Sequence, residues 1–193
     1  MTAMHAVHSH TGDTLAANST HSRVLWLAMI AALLPACARD LVPRAPSARA
    51  IVLREETVIA ATPERVWAVL VDLPGYAAWN PWLVRVDGEA KQGATVWADV
   101  VLGADRMHAK HLVLAVEPNT RFCWRDAGWT TAFVYGQRCR WLALRPDGTV
   151  LFRQELLLAG SSRKLALRRH GPALRAGLAA ETAALRRRAE SRP

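Results

Sequence analysis

From about residue 51 onward, apolar and polar positions alternate in short runs separated by turn residues, a pattern that predicts successive antiparallel strands. Ile51 to Ala60 is rich in β-branched residues and reads as the first strand. Leu83 to Gly88 alternates, with Val84 and Val86 on one face and Arg85 and Asp87 on the other. After a turn at Gln92-Gly93, Thr95 to Leu102 sets Val96, Ala98 and Val100 opposite Trp97 and Asp99. Gly103-Ala104-Asp105 turns the chain into a longer strand, Met107 to Val116, with Leu112, Leu114 and Val116 expected on the core face. Pro118-Asn119-Thr120 ends it, and Phe122 and Trp124 share a face of the next strand. Phe133 to Leu144 and Thr149 to Leu158 flank Pro146-Asp147-Gly148, which reads as a hairpin turn. Consecutive hairpins imply antiparallel pairing, and one face of such a sheet must be covered.

Two stretches carry a helical period instead. Thr62 is placed to cap a helix and Pro63 suits its first position. Val66, Trp67, Leu70 and Val71 fall on one face, and Asp72, Pro74 and Gly75 break the helix. Near the C-terminus, Ser161 or Ser162 can cap a second helix, which Gly171-Pro172 is expected to interrupt. Beyond it, Leu174, Leu178 and Leu185 recur on one stripe with alanines between them, while Arg175, Arg186, Arg187 and Arg188 crowd the other sides.

Ala61-Thr62-Pro63-Glu64-Arg65-Val66-Trp67 after a strand, then Tyr76, Trp79-Asn80-Pro81, Phe122-x-Trp124-Arg125, Gly136 and Glu155, follow one another in an order that resembles the SRPBCC superfamily. The likeness is to the START-like or helix-grip fold in its polyketide cyclase/dehydrase branch, over residues from about 56 to 190. The resemblance implies an α+β fold: a curved antiparallel sheet of about seven strands wrapped round a long C-terminal helix, with two short helices after the first strand. It also implies a mostly apolar cavity between sheet and helix. It names no reaction, because one fold hosts many functions. The expected function is binding or transport of a hydrophobic small molecule such as a lipid, polyketide or quinone-like compound. The alternatives are a cyclase/dehydratase-type enzyme using the same cavity and a basic adaptor for membrane surfaces or proteins.

The candidate chemistry refines this. Trp67, Tyr76, Trp79, Trp82, Trp124 and Trp129, with Leu174 and Leu178, are either core filling or the lining of a ligand cavity, with Tyr76, Trp79 and Trp129 at its mouth. Glu155, with Arg153 beside it and Arg138 and Arg140 on the preceding strand, is either a cavity cluster for an anionic or carbonyl-bearing ligand or a set of solvent-face ladder pairs. For the enzyme alternative, Glu155 and Arg138 or Arg140 are the first suspects for catalysis. Cys123 and Cys139 lie on strands that should pair, so they are candidates for a disulfide or for two separately buried thiols. His108 and His111, three apart in a strand, point to opposite faces and do not form a chelating pair. No HExxH or CxxC occurs, so neither a metal nor another cofactor is expected.

The first half-hundred residues differ in kind. Residues 1 to 22 are polar and contain His5, His8, His10 and His21. Arg23 then precedes an apolar run, Val24 to Leu34, too short to span a bilayer comfortably and suited to the core of a signal peptide. Leu34-Pro35-Ala36-Cys37 resembles a bacterial lipobox. It implies export and a lipid on Cys37, the alternative being a plain signal peptide with an incidental cysteine. By the same resemblance to bacterial lipoproteins, Ala38 in place of Asp implies a leaning towards the outer membrane of the cell envelope. The expected organisation is a leader over 1–37, a tether over 38–50 containing Pro43 and Pro46, and one domain over 51–190. The net charge of +9 rests almost wholly on arginine, since lysine occurs only at 91, 110 and 164. That surface suits anionic membranes or simple solvation; nothing resembles a nucleic-acid motif. Replacing Cys37 with Ala should abolish partition into detergent and change the mature mass; unchanged mass and partition would contradict the lipid anchor.

Overall fold

The structure, a computed structural model, describes residues 41–191 of the chain. The leader, the apolar run and Cys37 therefore lie outside the described residues. The elements are β1 (Ile51–Ile59), α1 (Pro63–Val71), a 3-10 turn (Pro74–Ala78), β2 (Leu83–Asp87), β3 (Thr95–Leu102), β4 (Asp105–Glu117), β5 (Arg121–Asp126), a second 3-10 turn (Trp129–Ala132), β6 (Tyr135–Leu144), β7 (Val150–Ala159) and α2 (Arg163–Glu190). The seven strands form one sheet in the order β1-β7-β6-β5-β4-β3-β2, antiparallel throughout. The first two strands are thus its two edges, and the chain passes from one edge to the other through α1 and the first 3-10 turn. This is the helix-grip architecture. Among the described residues no helix is long and apolar enough to cross a membrane.

Local chemistry accounts for the crossing segment. The Thr62 hydroxyl accepts from the Arg65 amide at the start of α1. Val66 and Leu70 are fully buried, with Trp67 and Val71 at the half-buried flank. The Tyr76 hydroxyl donates to the Leu70 carbonyl at 2.7 Å, which fastens the 3-10 turn back onto α1. Asn80 accepts from the amides of Trp82 and Leu83 at 3.0 and 2.9 Å and so starts β2.

The inner face of the sheet and one face of α2 enclose a core that includes Leu53, Ile59, Val96, Val113, Phe122 and Phe152. Leu178 and Leu185 meet it from the helix, while Leu174 packs half-buried at its margin. Two expectations about the strands need correcting. In β4 the register slips between Val113 and Ala115, so one residue is left over. Val113 and Val116 face the core, while Leu112 and Leu114 join Ala115 and Trp141 around the two cysteines on the outer face. In β2 a similar slip between Leu83 and Arg85 makes Val84 the extra residue, and Leu83 joins Val86 in the core.

The outer face is covered in its middle. Cys123 and Cys139 stand opposite each other on β5 and β6, 4.1 Å apart at Cα, and form a disulfide. Residues 43–46 run over this region. The Gln137 side chain accepts from the Arg44 amide at 2.8 Å and donates to the Arg44 carbonyl at 3.0 Å. The Arg44 guanidinium lies 4.0 Å over the Tyr135 ring.

The C-terminal helix is also corrected. Gly171-Pro172 does not divide it: α2 runs unbroken for 28 residues with Pro172 inside. Gly171 is buried and Pro172 exposed, and the turns on both sides are held to the core through Leu167 and Leu174. Packing therefore outweighs the lost amide donor. Pro172→Ala should raise stability in urea denaturation by about 1–3 kcal/mol, since an internal proline removes a helical hydrogen bond. A fall in stability would show that the proline is needed where it stands.

Candidate functional site: a buried arginine cluster beside a cavity

Alternation along β6 turns Gly136, Arg138, Arg140 and Leu142 inward and Tyr135, Gln137, Cys139 and Trp141 outward. Arg138 and Arg140 are 4% and 0% exposed, so two guanidiniums enter the core. Their partner is Glu181 on α2, itself buried. Arg138 Nη1 lies 2.6 Å from Glu181 Oε2, and Arg140 Nη2 lies 3.3 Å from Oε1. Burial pushes the Glu181 carboxyl above its ordinary pKa, while Arg140 and the Asn80 side chain pull it back. Tyr76, fully buried nearby, has its phenol pushed far up by the same desolvation, and Arg140 again opposes it.

Aromatic faces complete the cluster. Arg138 sits 4.6 Å from the Trp82 ring centre and 5.1 Å from that of Trp124. Arg140 sits 4.4 Å from Trp124 and 5.5 Å from Phe122. His111 stacks on Trp124 at 5.0 Å, almost parallel. Trp82 reaches this position because residue 177 is glycine: a Cβ there would collide with the indole ring.

Beside Arg138, sheet and helix fail to meet, which leaves a cavity of about 90 Å³. Trp82, Trp124, Leu174, His111 and Asp126 line it together with Arg138. The wall also includes Met107, 48% exposed, which marks the opening to solvent. His111 Nδ1 lies 3.2 Å from Asp126 Oδ1, but the direction is poor and neither ring nitrogen makes a hydrogen bond. Arg138 Nε and Nη2 and Trp82 Nε1 are likewise buried without a hydrogen-bond partner.

The structure sorts the residues singled out from the sequence. Trp82, Trp124 and Leu174 line the cavity. Tyr76 does not; it is sealed in the core, with Trp79 packed against its edge at 4.8 Å. Leu178 is buried away from the cavity. Trp67 borders a separate hollow with Val71 and Pro74. Trp129 opens the second 3-10 turn, and its side chain lies outside what the structure describes. Glu155 does not join Arg138 and Arg140. Strand pairing puts it opposite Cys139, hence on the outer face, where it bonds Arg54 at 2.8 Å and lies 3.7 Å from Arg153. His108 is on the outer face against Trp97, opposite to His111. Among the described residues no cluster of metal-ligating side chains occurs.

Glu181 is the member of the candidate site that sequence reasoning missed. Its signal was present: it falls on the Leu174, Leu178, Leu185 stripe at helical spacing, a lone carboxylate among apolar positions.

The profile of the family described as polyketide cyclase / dehydrase and lipid transport matches residues 50–190. The chain belongs to this family. Among solved structures, the Zhui aromatase/cyclase from Streptomyces sp. R1128 is similar at 14% identity, covering 70% of this chain and 94% of that one, with a TM-score of 0.53. Norcoclaurine synthase from Thalictrum flavum, in complex with dopamine and hydroxybenzaldehyde, is similar at 13% identity over 76% and 93% of the two chains, with a TM-score of 0.58. A protein from Thermus thermophilus is similar at 14% identity over 72% and 97%, with a TM-score of 0.59. At these identities the likeness is one of fold. No curated protein sequence matches the chain.

The two glutamates should separate cleanly. Glu181→Gln leaves buried guanidiniums without their counter-ion and should cost about 3–5 kcal/mol in urea denaturation. Glu155→Gln, with its arginines half in water, should cost about 1 kcal/mol or less. The opposite ranking would contradict the placement of the charge cluster.

Proposed function

We propose that this family member binds a hydrophobic small molecule in the cavity between the inner sheet face and α2. The observation that carries the reading is the cavity wall: two indoles and aliphatic side chains beside a solvent-exposed methionine. Rigid aromatic surfaces suit an apolar ligand. The volume is small against the roughly 300–1,000 Å³ of sites that enclose a drug-sized molecule. The cavity therefore seats one end of the ligand, and the remainder lies towards Met107. Family membership supports the reading, since polyketides and lipids are both in the family's description.

The expected anchor at Cys37, which in sequence shortly precedes the segment 43–46 that packs on the outer face of the sheet, would hold the cavity near a membrane of the cell envelope, where such ligands dissolve. Transport or delivery would follow from that position.

One observation favours a second reading, a cyclase/dehydratase-type enzyme. His111 and Asp126 stand together in the cavity wall, an arrangement suited to moving a proton on a bound substrate. Glu155 is too far round the sheet to take part, since it points from the other face.

Titration with a fatty acid, a quinone and an aromatic polyketide should change the tryptophan fluorescence for at least one of them, because Trp82 and Trp124 form the wall. Leu174→Trp, which fills the cavity, should remove the response while the protein still melts cooperatively. No response from the folded wild-type protein to any of the three would contradict ligand binding. If turnover is found, His111→Gln should stop it and leave binding intact under the enzyme reading.

A further inference from the structure

The cavity reading deepens once the charges in its wall are counted. Arg138 and Arg140 face one carboxylate, Glu181. Whether that carboxyl is ionised or protonated, at least one buried positive charge is left uncompensated. Asp126 does not cancel it: its side chain is 44% exposed, its contact is with His111, and no ion pair joins it to Arg138. Glu155 lies behind the sheet.

Some of the buried atoms that lack a hydrogen bond lie in the same wall, while others, such as Arg140 Nε and Nη1, lie away from it. Arg138 Nε and Nη2, Trp82 Nε1 and both ring nitrogens of His111 are buried without a hydrogen-bond partner, His111 Nδ1 having only its 3.2 Å ion-pair contact with Asp126, and all three residues line the cavity. Arg138 can only donate, as can the Trp82 indole N–H, and a His111 ring carries at least one N–H. A buried charged donor without an acceptor is unfavourable. The missing element is an acceptor with negative charge.

The geometry narrows its shape. The Arg138 guanidinium lies near the ring faces of Trp82 and Trp124, 4.6 and 5.1 Å from their centres. Its free N–H groups lie in the guanidinium plane, and two of them in a fork match a flat, two-oxygen acceptor. Trp82, Trp124 and Leu174, which all line the cavity, favour a flat apolar body attached to that acceptor. A volume of about 90 Å³ suits the acceptor and the part of the ligand next to it.

We infer that the ligand is a planar conjugated carboxylate, its carboxylate received by the free edge of Arg138 and its ring system lying between Trp82, Trp124 and Leu174. Arg140 and Glu181 then act as positioning residues: Glu181 holds the Nη1 edge of Arg138 and leaves Nε and Nη2 for the ligand. This inference rests on the cavity reading but asks more of it, and the two can fail separately.

The test is isothermal titration calorimetry of the full chain with 2-naphthoate and with 2-naphthamide, a neutral compound of the same shape. The wild-type protein should bind the naphthoate at least tenfold more tightly, one molecule per chain. Arg138→Gln should abolish that preference, while Arg54→Gln, a change to the outer-face pair, should keep it. Equal affinity for the two compounds, or preference for the amide, would overturn the anionic ligand and leave the cavity reading standing. Preference unchanged in Arg138→Gln would overturn the assignment of the acceptor to this arginine. Binding of neither compound would overturn this inference, while the cavity reading stands or falls on the fluorescence titration with the fatty acid, the quinone and the polyketide. Should Arg138→Gln not fold, the wild-type ratio decides the anionic ligand, and Leu174→Trp, which should lose both compounds, decides the location.

Discussion

The contact on which the structure depends is the buried carboxylate of Glu181 held between Arg138 and Arg140. Charges removed from water are tolerated only when their partners are close and well directed. Here the partners are on different elements, two on the interior strand β6 and one on α2, so the contact fixes how far the helix can slide or rotate over the sheet. Gln154 reinforces it one strand away, donating to the Leu178 carbonyl at 3.1 Å and to Thr182 Oγ1 at 2.8 Å. Gly177 lets the Trp82 indole press against the helix at the same level. Together these contacts hold α2 in one register. They also keep guanidiniums and indoles where an all-aliphatic core would have closed, and the cavity is the space left beside them.

The same strand serves both faces of the sheet. Inward it carries the arginines; outward it carries Cys139 and Gln137, which are joined to β5 by the disulfide and to residues 43–46 by a paired amide contact. Trp124 and Arg138 are register neighbours, as are Cys123 and Cys139. The covalent bridge thus sits directly behind the pair that forms the cavity wall. A cross-link closing a loop of this size is worth about 3 kcal/mol in the chain-entropy picture. It requires an oxidising compartment, which the proposed export would supply.

Much of the fold was legible because strand alternation and turn chemistry are local. Val96, Ala98 and Val100 on one face of β3, the Thr62-Pro63 start of α1, and the pairing of the strands that carry Cys123 and Cys139 all follow from spacing alone. Misreadings arose where a distant contact decides a local outcome. A bulge in β4 reverses the parity of Leu112 and Leu114, and nothing in Leu-Val-Leu-Ala-Val marks which residue is left over. Pro172 should break a helix, yet packing on both sides keeps α2 continuous. The site was legible in part. Arg138, Trp82, Trp124 and Leu174 were identifiable by residue type, but Glu155 was matched to the arginines by proximity in sequence. Its parity in the β6–β7 ladder places it on the opposite face, and the true partner is on the helix.

The central claim is that a surplus buried cation at the edge of an aromatic cavity is the working part of this domain. Anomalous diffraction from co-crystals with 6-bromo-2-naphthoate tests it most directly, because the bromine marks the far end of the bound ring. The account predicts a single bromine peak towards Met107, with the carboxylate on Arg138 and the ring between Trp82, Trp124 and Leu174. An ordered bromine on the outer face near Trp141, or an empty cavity in crystals that hold the compound elsewhere, would contradict it.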